Sequence, residues 1–249
     1  PVSFSMLAND EAADAVLEKL AQPHETLPHF PYPIPPGARP HGLPMIFSLK
    51  FAELGAFLEE PRYLEAAGLM SDEIFRCFYR PEWDLLVERV REDGSLYPGA
   101  DGSTVVPGHV IEDLWFQFHV HRLLKRPGDA EKEFFRLMLR HFDFGWDTEP
   151  PGGLRLAVDA HGGPEVGWGF PDSKLWWPHT EALYAFLLGW KFTGQRRFLE
   201  AYREVWAFSL THFADWENGE WRQKLQRDGS PLTDVVALPV KDPFHLPRA

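Results

Sequence analysis

Apolar residues recur along this chain with the helical period, and they recur in paired segments. After Pro44, the residues Met45, Ile46, Leu49, Ala52, Ala56 and Phe57 keep to one face, and after Pro61 so do Tyr63, Leu64, Ala67, Met70, Ile74, Phe75 and Phe78. These two segments predict an αα-hairpin. A second pair is predicted over about 107–125, carried by Val110, Ile111, Leu114, Trp115 and Phe118, and over about 130–142, carried by Phe134, Leu137, Met138 and His141. A third covers about 178–192 (Leu183, Phe186, Leu187, Trp190) and about 197–213 (Phe198, Leu199, Tyr202, Val205, Trp206, Ser209). A helix over about 10–21 belongs to an incomplete pair at the start. Nothing in the pattern suggests a parallel sheet.

Short alternating segments lie between the pairs. Leu85 to Val90 precedes Glu92-Asp93-Gly94-Ser95, Leu154 to Val158 precedes Asp159 and Gly162, and Trp221 to Leu225 precedes Arg227-Asp228-Gly229-Ser230, which predicts small β-hairpins. The turn glycines Gly94, Gly162 and Gly229 are 68 and 67 residues apart, so the repeating unit is a helix pair plus a hairpin. That is the pattern of an all-α fold, an (α/α)6 toroid, with inner helices around a funnel and hairpins on one rim. The 249-residue chain holds about 3.7 such units, whereas a closed ring of six needs about 400 residues. The expectation is one α/α-toroid catalytic domain over 1–249 that lacks N-terminal helices of the natural protein. The apolar face left open predicts a homodimer.

Composition narrows the function. Lys plus Arg number 25 against 37 Asp plus Glu, a net charge of −12, which repels phosphate backbones and argues against a nucleic-acid partner. No apolar run approaches the roughly 20 residues of a membrane span. Asp10, Glu11 and Asp14 stand where a signal peptide needs an apolar core, and the one cysteine, Cys77, can close no internal disulfide, so a cytoplasmic protein is expected. Ten Trp, twenty Phe and eleven His mark the chain, and indoles either fill a core or stack on a flat ligand such as a sugar.

Three clusters place His beside Glu, Trp, Gly and Pro. In Pro107-Gly108-His109-Val110-Ile111-Glu112-Asp113-Leu114-Trp115, His109 and Glu112 share a helical face, where the carboxylate can orient the imidazole. In Lys174-Leu175-Trp176-Trp177-Pro178-His179-Thr180-Glu181, Pro178 suits the first helical position, with the paired Trp just outside it. The tail Lys241-Asp242-Pro243-Phe244-His245-Leu246-Pro247-Arg248 has no helical period, and its prolines make it a rigid segment able to deliver His245 into the funnel. Each has a plain alternative: a capping or core imidazole for His109, core packing for Trp176 and Trp177, a surface tail for His245. His119 and His121 are two apart and point to opposite sides of a helix, so they chelate no metal, and His41, His141, His161 and His212 carry no functional reading. No cluster calls for a metal or a cofactor.

Taken together, the clusters resemble the N-acylglucosamine 2-epimerase family, which includes renin-binding proteins, cellobiose 2-epimerases and mannose-type aldose–ketose isomerases. The resemblance runs in order through Pro107-Gly108-His109 with Glu112 and Trp115, Gly145-Trp146-Asp147, Gly152-Gly153-Leu154, Lys174 to His179 with Glu181-Ala182, Gly219-Glu220-Trp221 and Phe244 to Arg248. It implies an (α/α)6 barrel and movement of the C2 proton of an open-chain sugar. It also implies His109 and His245 as the two acid/base groups, Glu181 as a carboxylate binding sugar hydroxyls or assisting ring opening, and Glu112, Trp115, Trp176, Trp177 and His179 in the pocket. Arg248 or a protonated His would stabilise the enediolate. Helices and a substrate arginine that the family carries upstream have no counterpart in Pro1 to Arg39.

Two other readings stay open at this level. Helical toroids also host glycoside hydrolases, for which Glu112 and Glu181 would serve as the carboxylate pair. A non-catalytic, protein-binding member of the family would use the uncovered helix faces of a half-ring.

Overall fold

The computed structural model describes residues 10–27, 34–126, 128–164, 166–232 and 245. Seven long helices lie among them: α1 (Asp10–Leu20), α2 (Gly42–Leu58), α3 (Pro61–Glu73), α4 (Pro107–Leu123), α5 (Asp129–Gly145), α6 (Trp176–Thr193) and α7 (Arg196–His212). Pro61 and Pro107 open α3 and α4, where a missing N–H costs nothing, and Gly194 closes α6 at φ +68°. A π-helical turn, Ile74–Phe78, extends α3. No helix among the described residues is long and apolar enough to cross a membrane.

The predicted pairs are the packing units: α2 lies on α3, α4 on α5, and α6 on α7, while α4 packs on both α2 and α6. The helices α2, α4 and α6 thus form an inner layer with α3, α5 and α7 outside. Burial follows: α4 is buried on nearly every side, including Glu112, Asp113 and Gln117, whereas α7 buries one stripe of Phe198, Ala201, Val205, Phe208 and Ser209. His119 and His121 do diverge, His119 Nε2 to Tyr184 Oη at 2.9 Å on α6 and His121 Nε2 to Ser71 Oγ at 3.4 Å on α3.

Among the described residues, ten short strands sit at the helix ends: β1 (Ala38–Pro40), β2 (Tyr79–Arg80), β3 (Leu85–Leu86), β4 (Arg89–Arg91), β5 (Thr104–Val105), β6 (Val158–Asp159), β7 (Lys174–Leu175), β8 (Ala214–Asp215), β9 (Glu220–Trp221) and β10 (Lys224–Leu225). Two local hairpins form among them, β2–β3 and β8–β9, and single antiparallel bridges, Val90–Leu96 and Leu225–Pro231, close the predicted turns at Gly94 and Gly229. The other ladders, β1–β4, β5–β6 and β7–β10, join segments distant in sequence, so the strands stitch successive units together. All three repeat turns are present, with the N–H of Gly94, Gly162 and Gly229 donating to the carbonyls of Arg91, Asp159 and Gln226.

The inner helices begin in close contact. A Cβ added to Gly108 would lie 2.6 Å from Pro178 Cβ, so only glycine lets the first turns of α4 and α6 approach this closely. Gly108→Ala is therefore expected to cost about 1–3 kcal/mol in chemical denaturation; an unchanged midpoint would mean that the two turns separate freely.

Candidate functional site

His109 occupies the third position of α4, and its Nδ1 lies 3.0 Å from Glu88 Oε2. Glu88 is buried between β3 and β4, with its N–H on the Thr104 carbonyl at 2.8 Å and its carbonyl accepting the His41 N–H at 2.9 Å. Burial opposes its ionisation, but the charge and hydrogen bond of His109 and the charges of His41 and Arg89 hold the carboxyl below the usual carboxylate range. The His109 ring stacks on Trp177 at 5.1 Å and meets Trp168 edge-on at 5.9 Å.

His245 arrives from the tail with its ring 5.7 Å from that of Trp177 and 5.6 Å from that of Trp176. Its Nδ1 is 2.6 Å from Glu181 Oε1 and 3.8 Å from Glu112 Oε1. The other oxygen of Glu181 accepts the Trp115 indole N–H at 2.9 Å. Both imidazoles therefore bond a buried glutamate through Nδ1, and both lie against one indole. The ligand atoms of Glu112, Glu181 and His245 are within 4.8 Å of one another, a spacing that could hold a cation, although the direct His245–Glu181 bond now occupies the space.

The sequence placed several residues differently. Glu112 does not orient His109; Glu88 does. Three residues turn a helix by about 300°, which leaves the two side chains about 60° apart, and Glu112 reaches His245 instead. Trp176 and Trp177 lie inside the first turn of α6, since Pro178 is tolerated while N–H groups still lack helical partners. Trp176 is buried against Phe208, Phe213 and Leu225, and Trp177 is half-buried at the imidazoles. His179 has no nitrogen left for a ligand. Its Nε2 accepts the Leu154 N–H at 3.0 Å, its Nδ1 donates to the Leu175 carbonyl at 2.7 Å, and burial pushes its pKa down to about 3. Arg248 lies outside the described residues.

Glu88 and Trp168 were not singled out from sequence, and neither was the buried pair His41–Asp113, at 2.8 Å between Nε2 and Oδ2. The available signal was Glu88-Arg89 set inside the apolar stretch Leu85 to Val90, where charges need partners.

An arc of αα-hairpins with polar groups gathered at the starts of its inner helices belongs to the α/α toroids. Residues 9–248 match the family described as N-acylglucosamine 2-epimerase (GlcNAc 2-epimerase), and the chain belongs to that family. It is 33% identical over 220 residues to N-acylglucosamine 2-epimerase of Homo sapiens, covering 86% of this chain and 50% of that protein. The chain thus spans about half the length of such relatives. Among solved structures, D-mannose isomerase matches with a TM-score of 0.67 at 19% identity, over 78% of this chain and 51% of that one. A sugar epimerase from a ruminal bacterium matches at 0.69 and 20%, over 83% and 51%. These likenesses establish the toroid fold.

Proposed function

We propose that this chain is the part of a sugar 2-epimerase or aldose–ketose isomerase that carries its two proton-transfer groups, His109 and His245. The observation that carries the reading is the pairing of two imidazoles, each bonded through Nδ1 to a buried glutamate, against the single indole of Trp177. Nδ1 bonding leaves Nε2 of His109 to take the C2 proton of an open-chain sugar while the C1 carbonyl accepts the electron pair, giving an enediolate. An epimerase returns a proton to C2 from the opposite face, which is the role of the second imidazole. An isomerase returns it to C1 as the C2 hydroxyl loses its proton. Glu112 and Glu181 bind sugar hydroxyls, Trp177 supplies a stacking face, and Trp115 holds Glu181 in place.

The carboxylates argue against hydrolysis. Glu112 and Glu181 converge on the same imidazole nitrogen with ligand atoms within 4.8 Å, whereas glycosidases hold their carboxyl groups about 5–5.5 Å or 6.5–9.5 Å apart with the scissile bond between them. NMR of N-acetylglucosamine, mannose and cellobiose with the protein in D2O tests the proposal: deuterium is expected at C2 of at least one sugar, and no incorporation into any of them would overturn it. On the best of these, Trp177→Ala is expected to raise KM about 3–10-fold while kcat falls less, as loss of one stacking face predicts.

A further inference from the structure

The carboxylate behind His109 comes from none of the motifs that carry the family resemblance; it sits in the loop joining β3 to β4. We propose that Glu88 is a positioning residue. Its carboxylate fixes His109 with Nδ1–H toward the protein and Nε2 available to the substrate, and the buried pair His41–Asp113 holds the Glu88 backbone behind it. The inference rests on the assignment of His109 as an acid/base group, and it adds a second layer of residues that this assignment does not require.

Five hydrogen bonds support it. The His109 Nδ1–Glu88 Oε2 bond at 3.0 Å selects one tautomer, and His109 Nε2 has no protein partner among the described residues. The carboxylate cannot wander, because both backbone groups of Glu88 are bonded, to Thr104 and to His41. His41 is fully buried with Nε2 on Asp113 Oδ2 at 2.8 Å, and the other Asp113 oxygen accepts Gln117 Nε2 at 2.7 Å, so the acceptor of the pair is itself fixed. Asp113 lies one helical turn beyond His109 on α4, which links the two carboxylate–imidazole pairs through one helix.

The charged groups facing Glu88 are His109 from α4, His41 from the start of α2, and Arg89 beside it, whose guanidinium is turned to Asp101. Burial works against a charge on His41, but the charge and hydrogen bond of Asp113 and the charge of Glu88 hold its pKa above the ordinary imidazole value. The direction favours the protonated imidazole beside the Glu88 carboxylate. An ionised Glu88 stabilises the imidazolium that forms when His109 takes a proton, the role an aspartate plays behind a catalytic histidine in serine proteases.

The test uses Glu88→Gln, which keeps shape and removes charge, and Glu88→Asp, which keeps charge. In the purified chain with 15N-labelled histidine and no sugar, a long-range 1H–15N spectrum at pH 8 is expected to show His109 as the Nδ1–H tautomer, and Glu88→Gln is expected to give a mixture. On the sugar that takes up deuterium, Glu88→Gln is expected to lower kcat about 10–1000-fold with KM within about threefold. Glu88→Asp is expected to recover most of the lost kcat. A spectrum and kcat unchanged in Glu88→Gln would overturn the role of Glu88 and leave the two-histidine reading intact. Absence of exchange on every sugar overturns that reading, and the ligand-free spectrum still decides the one for Glu88.

Discussion

His245→Asn is expected to lower the rate of conversion of the sugar to its epimer or isomer by two to four orders of magnitude, and His109→Asn to do the same, with sugar affinity changed far less. Asparagine keeps a polar group near the imidazole position but cannot carry a proton at neutral pH. At His245 the change leaves Glu181 held by the Trp115 indole at 2.9 Å and leaves Trp177 in place, so the binding surface survives. The two variants also separate the chemistries. An epimerase with one histidine removed can still exchange the proton on the face served by the other, so His245→Asn on one epimer and His109→Asn on its partner should each retain deuterium wash-in without conversion. An isomerase that uses one base would show only one severe variant. Near-normal conversion in both would reduce these imidazoles to packing groups, and NMR integration of the C2 proton and of the product over time reads all of these outcomes.

How far the sequence led depends on the range of each interaction. The helices were legible because their signal is local: Val110, Ile111, Leu114, Trp115 and Phe118 report one face of α4 without knowledge of any other segment. The strands were legible only in part. A two-residue ladder such as Thr104–Val105 on Val158–Asp159 has too few positions for alternation to reveal its partner, so this pairing is hidden, whereas the predicted turns at Gly94 and Gly229 are closed by the local bridges Val90–Leu96 and Leu225–Pro231. The same limit hid Glu88, whose segment reads as a buried strand and whose partner is 21 residues away on a helix. The family resemblance puts His179 in the pocket, yet its tautomer is fixed by backbone groups of Leu154 and Leu175 that no motif displays. His141 is bonded in the same manner to Leu86 and Leu137, and the shared arrangement marks both as pins holding a loop to a helix.

The second large effect is structural and falls on Asp147, where a change to asparagine is expected to cost about 3–5 kcal/mol of unfolding free energy. Asp147 follows α5 and is 2% exposed. Its Oδ2 takes Lys174 Nζ at 2.7 Å from β7, and Arg227 adds a bidentate pair at 3.0 Å from the turn after β10. Three segments from two successive units meet at this carboxylate. Removing its charge strands the ammonium of Lys174, which is fully buried, while the half-exposed Arg227 can turn to water. Asp147→Leu with Lys174→Met removes both buried charges and should therefore lose less than Asp147→Asn alone. The pH dependence has a definite sign. Burial would raise the Asp147 pKa, but hydrogen bonds from Arg227 and Lys174 and the Lys174 charge hold it well below the usual carboxylate range. Its contribution is thus complete above the unfolded value near 4, and it is lost as pH falls toward the folded one. Urea unfolding at pH 7 should separate wild type from Asp147→Asn by the full amount, and the gap should narrow below pH 4. A gap under about 1 kcal/mol at pH 7, or one that does not change with acid, would mean that the ladders and helix contacts hold these units together without the ion pairs.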